Sequence, residues 1–163
     1  GNMKKTLLTI AVASLFLVFF AGNSSNPMGE RLGYIAPNFI VENETNSVEL
    51  QQMKGNYVLL TFWASTDAES RIANVQYDRM VRDLKWVDYI AVNFDRSYGV
   101  YNEMVKIDGL DGASQFYGYN DETSSVYSRY GLKRGMKSLL LDKAGRIVAE
   151  NPNPNELKRL LGQ

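Results

Sequence analysis

The sequence predicts an α/β domain, with a central mixed sheet flanked by helices and an N-terminal β-hairpin. Three nearly unbroken apolar runs, at residues 57–63, 87–94 and 136–141, are rich in residues that favour strands. Such runs are typical of strands buried on both faces of a sheet. Helix signals fall between the first two runs, and this alternation indicates parallel strands joined by a helical crossover.

The hairpin is predicted ahead of the first buried strand. Residues 38–42 and 47–50 have the character of two short strands, and the polar segment Asn43-Glu44-Thr45-Asn46 separates them. Its side chains suit a tight turn. The first three residues of that segment also match the acceptor pattern for N-linked glycans, and we interpret them as turn chemistry.

The first helix is predicted directly after residues 57–63. Thr66 and Glu69 have the spacing of a capping box, and Asp67 suits the positive end of a helix. The helix is expected to reach about Lys85 with an apolar stripe along one face. The stripe consists of Ile72, Val75, Met80 and Leu84.

The remaining elements follow from caps, turns and periodicity. Gly131 ends a short helix, and Asn153 before Pro154 is the signature of a helix start. In chain order we predict a helix at 101–106, a glycine-rich loop at 109–120, a helix at 124–130, a fourth strand at 146–149 and a helix at 154–161.

Composition restricts the chemistry that is available. The 163 residues include no cysteine and no histidine, and 18 basic residues balance 18 acidic ones. Zinc fingers, iron–sulfur clusters and histidine-based triads are therefore excluded, and no basic excess indicates a nucleic-acid partner. We expect no cofactor and no metal site.

The N-terminus has the order of a secretory signal. Lys4 and Lys5 precede an uncharged apolar run at residues 7–22, and a polar stretch follows. We predict a signal peptide at 1–25, in which residues 1–2 are a cloning remnant. A linker at 26–33 and one domain at 34–163 complete the chain.

These features predict an exported protein of the periplasm or cell envelope. The string Phe20-Ala21-Gly22-Asn23 resembles a lipoprotein signal, but Asn23 stands where the lipidated cysteine would be. Without that sulfur no acyl anchor of this kind is expected. Membrane contact is expected only through an uncleaved signal segment.

Three strings in order resemble the thioredoxin superfamily, in particular its exported TlpA-like branch, which is itself similar to the AhpC/TSA-like peroxiredoxins. Ala36-Pro37-Asn38-Phe39 resembles the family's entry segment. Residues 54–65 resemble the strand that leads to the active site, and residues 140–148 resemble the closing hairpin. The resemblance implies a thioredoxin-like fold and a thiol-disulfide oxidoreductase ancestry.

The sequence departs from the family at its redox site. The family's Trp-Cys-x-x-Cys-Arg is here Thr66-Asp67-Ala68-Glu69-Ser70-Arg71, so Asp67 and Ser70 occupy the two cysteine positions. Lys137 occupies the position of the family's cis-proline. Neither a carboxylate nor a hydroxyl can form the mixed disulfide that the redox reaction requires. The peptide bond between Met136 and Lys137 is expected to be trans, because lysine lacks proline's tertiary amide.

Two functions are compatible with these departures. The first is a redox-inactive protein- or peptide-binding or scaffold module, whose partner is an unidentified envelope protein or extended peptide. Its proposed binding residues are Trp63, Asp67, Glu69, Gly135 and Lys137. The second is a cysteine-independent enzyme built on Asp67, Glu69, Ser70 and Lys137.

For three of these residues, a simpler structural role is the alternative to a functional one. In the structural interpretation Asp67 only caps its helix, Ser70 replaces a buried thiol, and Trp63 packs in the core. Alternatively, Asp67 and Lys137 have replaced the thiol and the proline as an ion pair, because the family's fold places these two positions face to face. Convergence of the four side chains on an open pocket would favour the enzyme.

The absence of sulfur predicts the absence of disulfide chemistry. The purified protein is expected to show no disulfide reductase activity and no midpoint potential, because it contains no thiol couple. Turbidity in an insulin-reduction assay is the measurement. Reduction above background by a pure sample would contradict this prediction.

Overall fold

A computed structural model describes residues 31–118 and 121–162, with the side chains at 121–124 left aside. The predicted signal peptide and most of the predicted linker lie outside the described residues and stay predictions. Residues 31–33 form a turn, in which the amide of Gly33 donates to the carbonyl of Ile147 at 2.7 Å. The end of the predicted linker is therefore attached to the folded part of the chain.

The described residues form strands and helices in the order ββ, βαβα, βα, ββα. The bounds are β1 Ile40–Glu42, β2 Ser47–Glu49, β3 Tyr57–Trp63, α1 Ala68–Val81, β4 Val87–Asn93, α2 Tyr98–Ile107, β5 Gln115–Tyr117, α3 Asp121–Arg129, β6 Ser138–Leu141, β7 Ile147–Glu150 and α4 Pro154–Leu161. The predicted elements are present, and their ends differ from the predictions by about one helical turn or less.

The main sheet is mixed and has the strand order β5-β4-β3-β6-β7. Strands β3 and β4 are parallel along their full length, from the pair Tyr57 and Val87 to the pair Trp63 and Asn93. Strand β6 runs antiparallel to β3, and β7 runs antiparallel to β6. Strands β1 and β2 form a separate antiparallel hairpin. The predicted fold class is confirmed.

Strand β3 is buried on both faces, as its apolar run predicted. Its alternate side chains enter two different cores, because successive residues of a strand point to opposite faces. Val58, Leu60 and Phe62 pack in the core under the hairpin and α3. Leu59 and Trp63 pack in the core under α1, α2 and α4.

The buried face of α1 differs from the predicted apolar stripe. Ile72 is 57% exposed, whereas Asn74 is completely buried. The side chains of Asn74 and Gln115 exchange two hydrogen bonds, and the hydroxyl of Tyr89 donates to Asn74 Oδ1 at 2.6 Å. Met80 and Leu84 of the predicted stripe do pack against the core under α1, α2 and α4, so the prediction fails at Ile72 and omits Asn74. Asn74 can be buried because its amide pair with Gln115 satisfies polar groups that would otherwise be excluded from a core.

Part of the predicted loop at 109–120 is a strand. Strand β5 pairs in parallel with β4 and adds a fifth strand to a sheet for which four were predicted. Three residues are too few to show a period, so the pairing with β4 defines this strand. Gly118 follows it, and its amide donates to the carbonyl of Asn93 at 2.7 Å.

The tip of the hairpin is anchored by Asn43. Its Oδ1 accepts hydrogen bonds from the main-chain amides of Thr45 and Asn46, which confirms the turn interpretation. Its amide nitrogen donates to the carbonyl of Gln115 at 3.0 Å. The side chain of Asn46 donates to the carbonyl of Ala113 at 3.0 Å. These hydrogen bonds attach the hairpin tip to the start of β5 and to the segment before it.

Gly118 gives a test of this packing. A Cβ at Gly118 would lie 2.6 Å from Val92 Cγ1 and 3.0 Å from the carbonyl oxygen of Asn93, whereas a Cβ at Gly112 would meet nothing within 4 Å. We expect Gly118→Ala to lower the free energy of unfolding by about 1–3 kcal/mol, as overpacking does. The matched Gly112→Ala is expected to change it by less than about 0.5 kcal/mol. Urea titration measures both, and equal effects would contradict the prediction.

Candidate functional site

An open cleft of about 980 Å³ lies between α1 and the segments that flank β6 and β7. It contains most of the residues that the sequence singled out, since Asp67, Glu69, Ser70, Gly135 and Lys137 all line it. Asp67 lies where the chain leaves β3 and starts α1. Lys137 directly precedes β6, which is hydrogen-bonded to β3. The sheet therefore brings these two distant segments together.

Asp67 caps helix α1. Its backbone is extended, with φ of −100° and ψ of 99°, and its carboxylate accepts a hydrogen bond from the amide of Ser70 at 2.9 Å. The predicted capping residue, Thr66, lies one position too early. A carboxylate suits this place because the first amides of a helix lack intrahelical partners and carry partial positive charge.

Ser70 has 7% of its surface exposed. Its hydroxyl donates to the carbonyl of Asp67 at 3.0 Å and accepts from the amide of Ala64 at 3.3 Å. The hydroxyl thus ties the loop before α1 to the first turn of that helix. A nucleophilic serine needs a base that removes its proton, and here the proton is directed at a backbone carbonyl.

Lys137 enters the cleft from the segment before β6. The peptide bond that precedes it is trans, as predicted, and its carbonyl accepts from the amide of Phe62 at 2.9 Å. Its ammonium lies 3.9 Å from the position that a Cβ would take at Gly131. The pKa of Lys137 is lowered, chiefly by burial. The charge of Glu150 opposes this shift, and the charges of Arg31 and Arg134 add to it.

Asp67 and Lys137 do not form the predicted ion pair. The three ion pairs between described residues join Arg71 to Asp108, Arg82 to Asp78 and Lys106 to Glu103. The carboxylate of Asp67 is directed at the amides of its own helix, because capping satisfies it locally. The linked exchange of thiol and proline for an ion pair is therefore not supported.

Trp63 does not line the cleft, and that part of the predicted site was wrong. Its side chain is completely buried and packs against Tyr101, with ring centroids 6.3 Å apart. Trp63 is the last residue of β3, and the alternation of the strand directs it into the core under α1, α2 and α4. Phe62, on the other face of β3, contributes to the cleft instead.

The family resemblance predicts an open backbone edge beside Lys137, and the main chain of Met136 forms an edge of this kind. Met136 lines the cleft, and within the described part of the chain its N–H and C=O take part in no hydrogen bond. The neighbouring carbonyl of Lys137 faces β3, and Ser138 exchanges hydrogen bonds with Asn151 on the opposite side. Main-chain polar groups alternate along an extended segment, so those of Met136 face the same side as those of Ser138. No side-chain pattern reports an open main-chain edge of this kind.

Ser138 and Tyr77, which line the cleft, carry neutral hydroxyl groups. The hydroxyls of Thr61 and Ser138 are hydrogen-bonded at 3.0 Å, and Tyr77 donates to the carbonyl of Pro152 at 2.7 Å. Burial raises the pKa of Tyr77 to about 12, so its phenol stays protonated at physiological pH. The charge of the cleft therefore resides on its walls.

Residues 31–118 and 121–162 lack two further kinds of feature. No group of three or more acidic side chains there is arranged to hold a metal ion. In the same residues, none of the helices has the length and apolar character needed to cross a membrane.

The fold and the position of the cleft define a thioredoxin-like protein. The chain is 33% identical to a thioredoxin-like protein from Parabacteroides distasonis of known crystal structure, over 81% of this chain and 95% of that one, with a TM-score of 0.69. The thioredoxin domain of a thiol-disulfide oxidoreductase from Bacteroides vulgatus has the same fold, with a TM-score of 0.70 over 80% of this chain and 95% of that one, at 24% identity.

Sequence comparison gives the same relationship. The chain is 28% identical to thiol-disulfide oxidoreductase ResA of Bacillus thuringiensis (strain Al Hakam), over 84% of this chain and 76% of that protein. No protein-family model matches the chain. The chain belongs to the thioredoxin-like family of thiol-disulfide oxidoreductases, and it has no cysteine with which to perform the family's reaction.

Substitution of Asp67 separates the capping role from a chemical one. We expect Asp67→Ala to lower the free energy of unfolding by about 1 kcal/mol, because the amide of Ser70 loses its acceptor. Asp67→Asn keeps an acceptor oxygen and is expected to retain most of the stability. Denaturant unfolding measures both variants. A loss of stability in Asp67→Asn as large as in Asp67→Ala would show that the charge, rather than the cap, matters.

Proposed function

We propose that this protein is a redox-inactive relative of the thiol-disulfide oxidoreductases that binds an extended polypeptide segment in its cleft. The observation that carries the proposal is the open main chain of Met136. An extended partner that pairs with Met136 would continue the sheet beyond β6, as in β-augmentation. In the family that the sequence resembles, the backbone beside the cis-proline binds peptides in this manner.

The absence of thiols supports binding without turnover. The two positions that carry cysteines in the family are here used to build the start of α1, because Asp67 caps the helix and Ser70 is hydrogen-bonded to the loop before it. The cleft beside them stays open. A binding surface has thus been retained while the reactive groups have been replaced by structural ones.

The enzyme alternative receives no comparable support. A nucleophile on Ser70 would need its hydroxyl directed at a base, and that hydroxyl donates to the carbonyl of Asp67 instead. The carboxylate of Asp67 is engaged by the helix. The four side chains do reach one cleft, but two of them are already bound to the local backbone.

We further propose that the protein works outside the cytoplasm, in the periplasm or cell envelope. The support is the order of charge, apolar run and polar residues at positions 4–27. In that compartment unfolded or extended segments of other exported proteins are the available partners. The absence of cysteine would also protect the protein from unwanted disulfide formation there.

The proposal is tested by removing a single main-chain hydrogen. Met136→Pro eliminates the N–H group while it keeps an apolar residue, and Met136→Leu changes the side chain while it keeps the N–H group. The probe is insulin B chain with its cysteines alkylated, which offers an extended segment without thiols. Binding is followed by fluorescence anisotropy, and thermal unfolding checks that both variants are folded.

We expect the protein and Met136→Leu to bind the probe, and Met136→Pro to bind it at least about tenfold more weakly, the effect of about 1.4 kcal/mol. In ¹⁵N-labelled protein, the amide signals of Gly135 and Met136 should shift when the probe is added. Failure to bind this probe and a displayed library of random peptides would refute the proposed function.

A further inference from the structure

Five basic residues border the proposed binding edge. They come from the turn at the start of the described chain, the end of α3 and the segment that leads to β6. Arg129, Lys133 and Arg134 are exposed, and Arg31 and Lys137 are half-buried. We call these five residues the basic patch. The patch begins immediately beside Gly135 and Met136.

Four residues of the basic patch are linked in space, and Lys133 precedes Arg134 in the sequence. Arg31 donates to the carbonyl of Arg129 at 2.8 Å, and Arg134 and Lys137 both line the cleft. Burial lowers the pKa of Lys137, and the charges of Arg31 and Arg134 add to that shift. The patch therefore joins segments from opposite ends of the domain sequence.

The positive charge of the patch is poorly balanced by the described residues. None of the three ion pairs that those residues form includes Arg31, Arg129, Lys133 or Arg134. Lys137 differs from these four, since the charge of Glu150 acts on its pKa. The chain as a whole has a formal net charge of zero, so this concentration of cations is local.

Charge on the opposite wall of the cleft does not cancel the patch. Asp67 and Glu69 lie there, at the start of α1. The carboxylate of Asp67 accepts a hydrogen bond from the helix amide that it caps, which stabilises its charge locally. Three acids, Asp67, Glu69 and Asp83, line the cleft against four cations, Arg79, Arg134, Lys137 and Lys158. A partner that pairs with Met136 would thus lie next to a surplus of positive charge.

We propose that the partner is an acidic extended segment, with glutamate or aspartate side chains that bind the basic patch while its main chain pairs with Met136. The inference rests on the proposed function and gives that function its partner class. Alternate side chains of an extended segment point to the same side, so a segment with acids at every second position would present them together. Opposite charge would also steer the segment to the cleft and fix its register.

The experiment compares peptides that differ only in charge. Short, fluorescein-labelled peptides of one alternating pattern carry Val at every second position and either Glu, Gln or Lys between. Anisotropy titrations at low and at physiological ionic strength give their affinities. We expect the Glu peptide to bind about tenfold more tightly than the Gln peptide at low salt, with the difference reduced as salt increases. The Lys peptide should bind most weakly.

Two double variants test whether the preference for the Glu peptide comes from the basic patch. Lys133→Gln/Arg134→Gln removes two exposed charges of the patch, and Lys54→Gln/Lys106→Gln removes two exposed charges that do not line the cleft. We expect the first double variant to lose about tenfold in affinity for the Glu peptide and little for the Gln peptide. The second should bind both peptides like the unaltered protein. Thermal unfolding confirms that each variant is folded.

The outcomes separate this inference from the proposed function. Equal binding of the Glu and Gln peptides would overturn the acidic partner and leave peptide binding intact. Failure of every peptide to bind would overturn both. An oligo-dT strand of the same net charge that binds as tightly as the Glu peptide would show that the patch recognises negative charge alone, and would also overturn the inference.

Discussion

The architecture depends on one constraint, the burial of β3 on both faces. A strand without a solvent-facing side must be covered by two layers, so the hairpin and α3 lie on one face and α1, α2 and α4 on the other. The parallel neighbour β4 requires a crossover, and α1 supplies it. Because the crossover begins where β3 ends, the first turn of α1 is fixed at the carboxyl edge of the sheet. The position of the cleft follows from that.

The same constraint explains how the redox site could be lost without loss of the fold. The loop between β3 and α1 must still place four orphan amides at the helix start. Asp67 now satisfies one of these amides, that of Ser70, with a hydrogen bond of 2.9 Å, and the hydroxyl of Ser70 donates to the carbonyl of Asp67 at 3.0 Å. A thiol is reactive but caps a helix poorly, whereas a carboxylate caps it well and has no thiol redox chemistry. The substitutions have therefore exchanged reactivity for local structure.

Patterns carried by several consecutive side chains were predictable from the sequence. The strand at Tyr57–Trp63 and the helix at Pro154–Leu161 match their predicted bounds, because each has a strong local signal. Strand β5 and the buried face of α1 were missed, since both depend on partners far away in sequence: β4 in one case, and Tyr89 and Gln115 in the other. Local pattern gives no access to such pairings.

In the candidate site too, local features were predictable from the sequence and features that depend on the folded chain were not. The sequence identified the positions of Asp67, Ser70 and Lys137, but Trp63, which was proposed to line the site, is completely buried in the core under α1, α2 and α4. The open backbone edge beside Lys137 was predicted only through the family resemblance, because no side-chain pattern reports backbone direction. The clustering of five cations was not predicted, because spatial charge density is a property of the folded chain.

The attachment of the hairpin tip to β5 has a consequence for self-association. An exposed edge strand offers unpaired amides and carbonyls to any similar chain, and such edges promote aggregation. Here the side chains of Asn43 and Asn46 donate hydrogen bonds to the carbonyls of Ala113 and Gln115. These carbonyls at the β5 edge of the sheet are therefore no longer open to another chain. The hairpin is synthesised before β5, and its asparagines are present as soon as that edge forms. Protection of this edge thus comes from a segment that contributes no strand to the main sheet.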